Sequence, residues 1–215
     1  MMKSAIIRQV HVYVPLNVPA KSKTRLSRRL NRKQRASLTI AMLVNVLSAL
    51  REARTVASVT VVCADRSIKP IVQQYGARFL WEGRRRGLNR ALNFALRDSP
   101  RDSPILIIHA DLPLLTSKEV DDLIIGAQNY PLSFVPSKDK TGTNAILMRS
   151  PNIIRFAFGE DSFRKHLSLA KKRKTSYKVL RINGVAFDID EERDLEELMH
   201  HFDQETNPNE ILQLD

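Results

Sequence analysis

The chain is poor in cysteine, aromatic residues and long apolar runs, and each shortage removes a class of protein. Cys63 is the only cysteine among 215 residues, so no internal disulfide can form and a reducing interior is the natural setting. It lies in the apolar run Val59 to Ala64, where a small buried side chain is expected rather than a reactive or metal-binding thiol. Aromatic residues make up 6% of the chain. The core must therefore be mostly aliphatic, and no basic stretch is interleaved with rings as a stacking platform for nucleic acid would be. Zinc-finger and RRM signatures are missing as well. No apolar segment approaches the roughly 20 residues needed to cross a bilayer. Met1 to Arg8 lacks the apolar centre of a secretory signal. A cytoplasmic protein with no membrane partner is expected.

Acidic residues are also in the minority: 23 against 35 lysines and arginines, a net charge of +12 and a pI near 10.1. A field of that sign attracts anions of any kind, from nucleic acid to a polyanionic small substrate. The remaining composition is ordinary for a globular chain, with 43% hydrophobic and 27% charged residues. The length suits one α/β domain spanning residues 1–215, with a polar, frayed tail from about residue 204.

Strand-like and helix-like segments alternate, which predicts a mixed, mainly parallel sheet flanked by helices. Strands are expected at Gln9 to Val14, stopped by Pro15, and at Val59 to Ala64, Arg78 to Trp81, Ile105 to Ala110, Leu132 to Val135, Ala145 to Met148 and Lys178 to Ile182. Helices are expected at Gln34 to Arg54, Ile68 to Tyr75, Leu88 to Arg97, from Thr116 with Glu119 completing a capping box, at Ser162 to Lys172 and at Glu191 to His201. Met42, Met148 and Trp81 read as core.

Two acidic features carry chemistry. Asp111 follows the buried run Ile105 to Ala110, at the strand end where open α/β sheets bind ligands. Asp188 and Asp190 are separated by one residue in an extended segment, so both carboxylates can share a face while Ile189 turns inward. Three such carboxylates suit Mg2+, a hard ion that prefers oxygen. Each also has a plainer reading: Asp190 as the cap of the last helix, Asp111 as a turn former.

Between the first strand and the first long helix lie Lys21, Lys23, Arg25, Arg28, Arg29, Arg32, Lys33 and Arg35. Most belong to a solvated face; Lys23 and Arg25, nearest the strand end, are the candidates for an anionic ligand. Arg84, Arg85 and Arg86 precede Gly87-Leu88-Asn89. Gly142-Thr143-Asn144 precedes a strand and could hydrogen-bond an anion. Phe158-Gly159-Glu160-Asp161-Ser162-Phe163 runs into a helix whose free N–H groups suit phosphate or carboxylate, with plain capping by Asp161 or Ser162 as the alternative. His109 is expected to pack in the buried strand. His11 and His166 have no partner nearby in sequence, and His200 and His201 cannot face one ion together.

The chain resembles the 2-phospho-L-lactate guanylyltransferase family of coenzyme F420 biosynthesis over almost its whole length. The matching residues are Lys23-Thr24-Arg25-Leu26-Ser27, Ala41-Met42-Leu43, Gly87-Leu88-Asn89, Ala110-Asp111-Leu112-Pro113-Leu114, Gly142-Thr143-Asn144-Ala145, Phe158-Gly159 with Ser162-Phe163 and His166, and Asp188-Ile189-Asp190. The resemblance implies a single-domain α/β nucleotidyltransferase, glycosyltransferase-A-like and Rossmann-like. It implies Mg2+ on Asp111, Asp188 and Asp190, with Asp111, Lys23 and Arg25 at the reacting centre. Lys23 and Arg25 would face the triphosphate of GTP, and Gly87 and Asn89 the nucleoside. Thr143, Gly159 and Ser162 would hold a phosphorylated three-carbon acid, and a homodimer is expected. Two positions depart from the family pattern: His109 stands where a proline is usual, and Asn17 where a lysine is common. The alternatives are a basic nucleic-acid-binding α/β protein and a nucleotidyltransferase for another phosphorylated substrate. Sugar- and molybdopterin-type enzymes normally carry a glycine-rich loop after the first strand, and Pro15 to Arg25 contains no glycine.

Overall fold

A computed structural model describes residues 9–83, 87–100 and 102–205. Seven strands form one continuous sheet: β1 (Val10–Leu16), β2 (Val56–Cys63), β3 (Arg78–Trp81), β4 (Ile105–Ile108), β5 (Leu132–Pro136), β6 (Thr143–Met148) and β7 (Tyr177–Val179). Their order is β3-β2-β1-β4-β6-β5-β7. Only β6 runs against its neighbours β4 and β5; every other pair is parallel. The expected mixed, mainly parallel α/β sheet is present.

Central strands are buried on both faces, so they read as unbroken apolar runs. The four side chains of β4 are fully buried, each contributing about 1.5–3 kcal/mol of hydrophobic stabilisation. One face is covered by α1 (Arg32–Glu52), α2 (Lys69–Gln74) and α4 (Ser117–Ala127). The other is covered by α3 (Leu88–Ala95) and α5 (Ser162–Lys172). The short α6 (Asn183–Ala186) and the final α7 (Glu192–Glu205) complete the fold. Leu26, Met42, Phe187, Ile189 and Leu198 form a third, smaller core.

Several boundaries differ from expectation for physical reasons. Pro15 does not stop β1. The His11 N–H bonds the Pro104 carbonyl on the β4 side, so Pro15, four residues on, also turns its missing N–H that way, beyond the last β1–β4 pair, Tyr13 with Ile107. α1 starts at Arg32 rather than Gln34, because Asn31 and Gln34 form a capping box. The Thr116–Glu119 box is present as expected. The strand expected over Lys178 to Ile182 is displaced to β7, and a helical turn, α6, follows. Trp81 is 44% exposed rather than core: β3 is an edge strand, and the indole lies under the Arg66 guanidinium at 3.8 Å. Met42, Met148 and Cys63 are buried as expected. Burial first, with the charges of Asp65 and Glu82, pushes the Cys63 thiol up to about 11. The Arg84 to Arg86 cluster lies outside the described residues. So does the tail beyond residue 205, and positions 204 and 205 are helical.

Candidate active site

Asp111 lies three residues past β4, and the segment 187–190 crosses beside it, tied by the Ile189 N–H to the Asp111 carbonyl at 3.4 Å. Phe187 and Ile189 are buried in the third core. Alternation along the extended chain therefore turns Asp188 and Asp190 the other way, toward Asp111. One oxygen from each of the three carboxylates lies within 4.8 Å of the others. Three like charges so close repel, and something cationic must hold them. Lys23 does so: its ammonium bonds Asp111 and, at 2.9 Å, Asp190 Oδ1. Its side chain is 7% exposed. Lys23 takes a left-handed backbone conformation, φ 52° and ψ 42°, which costs a non-glycine residue about 1 kcal/mol.

Burial disfavours the Lys23 ammonium, but Asp111 and Asp190 outweigh it and hold the group charged. Burial likewise works against the Asp111 carboxylate, and Lys23 reverses the balance and lowers its pKa. Asp188 is pushed up to about 7, by burial first and by the charge of Asp111 second; a hydrogen bond from Asn144 opposes the shift.

The triad opens into a cavity of about 920 Å³. Lys23, Arg25, Gly87, Asp111, Thr143, Gly159, Ser162, Asp188 and Asp190 all line it. Of the residues expected at the site, Asn89 alone does not. Its amide is occupied on both atoms: Nδ2 donates to the Phe158 carbonyl at 3.0 Å, and Oδ1 accepts the Phe158 N–H at 2.9 Å. Asn89 therefore pins the 158 loop. Arg25 stands at the rim, its side chain 71% exposed, 3.6 Å from Glu191. Arg29 of the same loop meets the acidic face of α7, pairing with Glu192 at 3.3 Å and with Glu196.

The start of α5 is less open than the sequence suggests. Its Ser162 N–H is taken by the Gly159 carbonyl and its Phe163 N–H by Thr141. Neither Asp161 nor Ser162 supplies a side-chain cap, and Asp161 is left-handed. The cavity wall here carries the Ser162 hydroxyl on α5 and the Thr143 hydroxyl on β6. His166, fully buried, accepts the Ala157 N–H on Nε2 at 2.9 Å and meets Thr143 Oγ1 through Nδ1 at 3.0 Å. An accepting Nε2 requires the neutral tautomer with hydrogen on Nδ1, so the imidazole donates to Thr143. Ser162 Oγ donates to the same oxygen at 3.4 Å. Thr143 thus receives two hydrogen bonds, and its own proton is free to point into the cavity. Burial lowers His166 to about 4, in keeping with the neutral form.

Asn144, expected to face an anion, is instead a support. It is 1% exposed, and Nδ2 donates to the Val185 carbonyl at 2.9 Å and to Asp188 Oδ1 at 2.9 Å. Its partners lie more than 40 residues away, so sequence spacing gave no sign of them. A lone asparagine before the apolar run Ala145 to Met148 was the available hint. His109 sits beyond the end of β4, its ring 5.3 Å from that of Phe158 and Nδ1 3.9 Å from Asp111 Oδ1. Burial, the larger influence, keeps it neutral. His11 bonds Ser58 at 2.8 Å. Asp190 does not cap α7; Asp194 accepts the N–H groups of Asp190 and Glu191.

The donor set fits a hard divalent cation. All three groups are carboxylates, and Asp111 Oδ1 is buried with no hydrogen-bond partner among the described residues, leaving an oxygen available for a metal.

A parallel-rich sheet with a carboxylate triad and a buried lysine at one end, opening into a cavity, defines a nucleotidyltransferase. Solved structures share the fold: 4-diphosphocytidyl-2C-methyl-D-erythritol synthase superposes with a TM-score of 0.63 at 14% identity, covering 91% of this chain and 99% of that one. The chain belongs to the guanylyl transferase CofC-like family, whose model matches residues 10–214. Among curated relatives, phosphoenolpyruvate guanylyltransferase of Sphaerobacter thermophilus is 36% identical over 191 residues, 87% of this chain and 91% of the relative. The 3-phospho-D-glycerate guanylyltransferase of Colwellia psychrerythraea is 31% identical over 191 residues, 87% and 90% of the two chains. The 2-phospho-L-lactate guanylyltransferase of Methanocaldococcus jannaschii is 29% identical over 193 residues, 90% and 84%. No helix among the described residues is long and apolar enough to cross a membrane.

Proposed function

We propose that this enzyme transfers GMP from GTP to a small phosphorylated acid, 2-phospho-L-lactate or a close analogue such as phosphoenolpyruvate, and releases pyrophosphate. The product with phospholactate is lactyl-2-diphospho-5′-guanosine. One observation carries the reading: Lys23 and the three carboxylates share a cavity with the hydroxyls of Thr143 and Ser162. A cation-binding end and an anion-binding wall thus face the same space. The family resemblance adds Mg2+ as cofactor, coenzyme F420 biosynthesis as the setting, the cytoplasm as the location and a homodimer as the assembly. The nucleic-acid alternative loses ground, since Arg25 and Arg29 of the basic loop meet carboxylates of the chain itself.

The residues divide the work. An oxygen of the acid's phosphate attacks the α-phosphorus of GTP; the new P–O bond forms as the bond to the β-phosphate oxygen breaks, and pyrophosphate leaves with the electron pair. The phosphate nucleophile is already ionised near neutral pH, so no general base is needed, and catalysis rests on positioning and charge neutralisation. Lys23, held charged and nearly dry, stabilises negative charge on the triphosphate. Arg25 at the rim draws both anions in. Thr143, oriented by His166 and Ser162, donates to the acid. Asp111, Asp188 and Asp190 would hold Mg2+, which when bound neutralises phosphate oxygens.

A pyrophosphate-release assay crossing four nucleoside triphosphates with phospholactate, phosphoenolpyruvate and 3-phosphoglycerate, with and without Mg2+, tests this. Release only with GTP, one of the acids and the metal is expected. Silence in every combination from folded protein overturns the proposal.

A further inference from the structure

The lining of the cavity extends past the triad and the acid-binding wall. It runs along the carboxyl ends of β1, β2 and β3 toward the start of α3. Its walls include Leu16, Val62, Leu88 and Ala91. Leu16, Val62 and Ala91 are buried in the two main cores, so these walls are fixed. Aliphatic walls of this kind suit the faces of a flat ring. The residue directly after β3 is Glu82, 8% exposed, and it also lines the cavity. Its backbone is anchored by the Glu82 N–H to the Cys63 carbonyl at 3.3 Å.

The spacing suits a nucleoside. In the order β3-β2-β1-β4, Glu82 and Asp111 stand at strand ends three positions apart, and at about 4.8 Å per strand that is roughly 14 Å along the sheet edge. With the α-phosphate held near Asp111 and Lys23, ribose and base lie in between, and the far edge of the base reaches β3.

We infer that Glu82 reads the base of the donor nucleotide, its carboxylate accepting the N1–H and N2–H2 of guanine. The inference rests on the GMP-transfer reading and adds the residue that selects the base. The chemistry favours guanine. A carboxylate offers only acceptors, and guanine alone among the four bases presents two adjacent donors along its pairing edge. Adenine and cytosine place an acceptor nitrogen beside their single amino group, and uracil flanks its one N–H with two carbonyls; each sets a lone pair against the carboxylate.

Equilibrium binding of GTP, ITP and XTP to wild type, Glu82→Gln and Glu82→Asp tests this, by calorimetry with a thermal melt for each protein. Inosine lacks the 2-amino group, so the wild type should bind ITP about tenfold or more weakly than GTP. In Glu82→Gln that ratio should fall to within about threefold, and XTP, whose 2-oxo group accepts from the new amide, should bind more tightly than to wild type. A gain for XTP cannot come from misfolding. Glu82→Asp should keep a preference for GTP over ITP. A wild type that binds GTP and ITP alike, or a ratio unchanged in Glu82→Gln, overturns the role of Glu82 while leaving GMP transfer standing. Failure of folded wild type to bind GTP at all overturns both.

Discussion

The side-chain amide of Asn144 donates to Asp188 Oδ1 at 2.9 Å while the same nitrogen holds the Val185 carbonyl at 2.9 Å. One buried group thereby fixes both the backbone entering the 187–190 segment and the carboxylate it delivers. Supports of this kind commonly account for about 10–100-fold in metal affinity. Asn144→Ala should weaken Mn2+ binding by about that range in a calorimetric titration, and the loss should vanish when Asp188 is already Asn. A full loss in the Asp188→Asn background would show that Asn144 acts elsewhere.

Lys23 should be irreplaceable in charge and in shape. Lys23→Ala is expected to lower kcat/KM by about 10²–10³-fold, the scale for removing one preorganised electrostatic group. Lys23→Arg should not restore it, because a planar guanidinium does not fit a pocket that leaves the lysine side chain 7% exposed. The left-handed backbone adds a second readout: Lys23→Gly should be about 1 kcal/mol more stable than Lys23→Ala in urea unfolding.

Asn89 separates the family-based expectation from the observed geometry. If it contacts the nucleoside, Asn89→Ala raises KM for GTP. The two hydrogen bonds to Phe158 predict otherwise. KM for the acid should rise by about tenfold, as expected for losing roughly 1–1.5 kcal/mol of loop anchoring, with KM for GTP nearly unchanged.

His166 gives the fold a pH signature. Its folded pKa is lowered to about 4 from an ordinary 6.5. Between those values the unfolded chain binds a proton that the native state refuses, so stability present above pH 6.5 is lost as pH falls toward 4. From pH 7 to 4.5 the loss should be about 2 kcal/mol. Urea unfolding of wild type against His166→Gln, which cannot titrate, should show a smaller pH dependence in the variant by about that amount. Equal dependence would mean that the imidazole is not buried neutral.

Much of the fold was legible because burial writes itself into sequence. The run Ile105 to Ala110 reads as a buried strand, and β4 covers its first four residues; Thr116 with Glu119 reads as a helix start. The reversal of β6 was not legible, since an apolar run has no direction. Trp81 misled because edge position is a property of the sheet and not of the residue. At the site, Asp188 and Asp190 were found through alternation, which is local. The roles of Asn144, His166 and Asn89 were not found, because their partners lie 44, 23 and 69 residues away. Such supports are set by tertiary folding, and a single sequence does not show which partner each of them meets.

The most direct measurement is a calorimetric titration of Mn2+ into wild type, Asp111→Asn, Asp188→Asn and Asp190→Asn, each confirmed folded by its thermal melt. If the three carboxylates gather one divalent ion, the wild type binds a single equivalent per chain, and every variant binds it about tenfold or more weakly. Affinity equal in all four proteins would contradict the account.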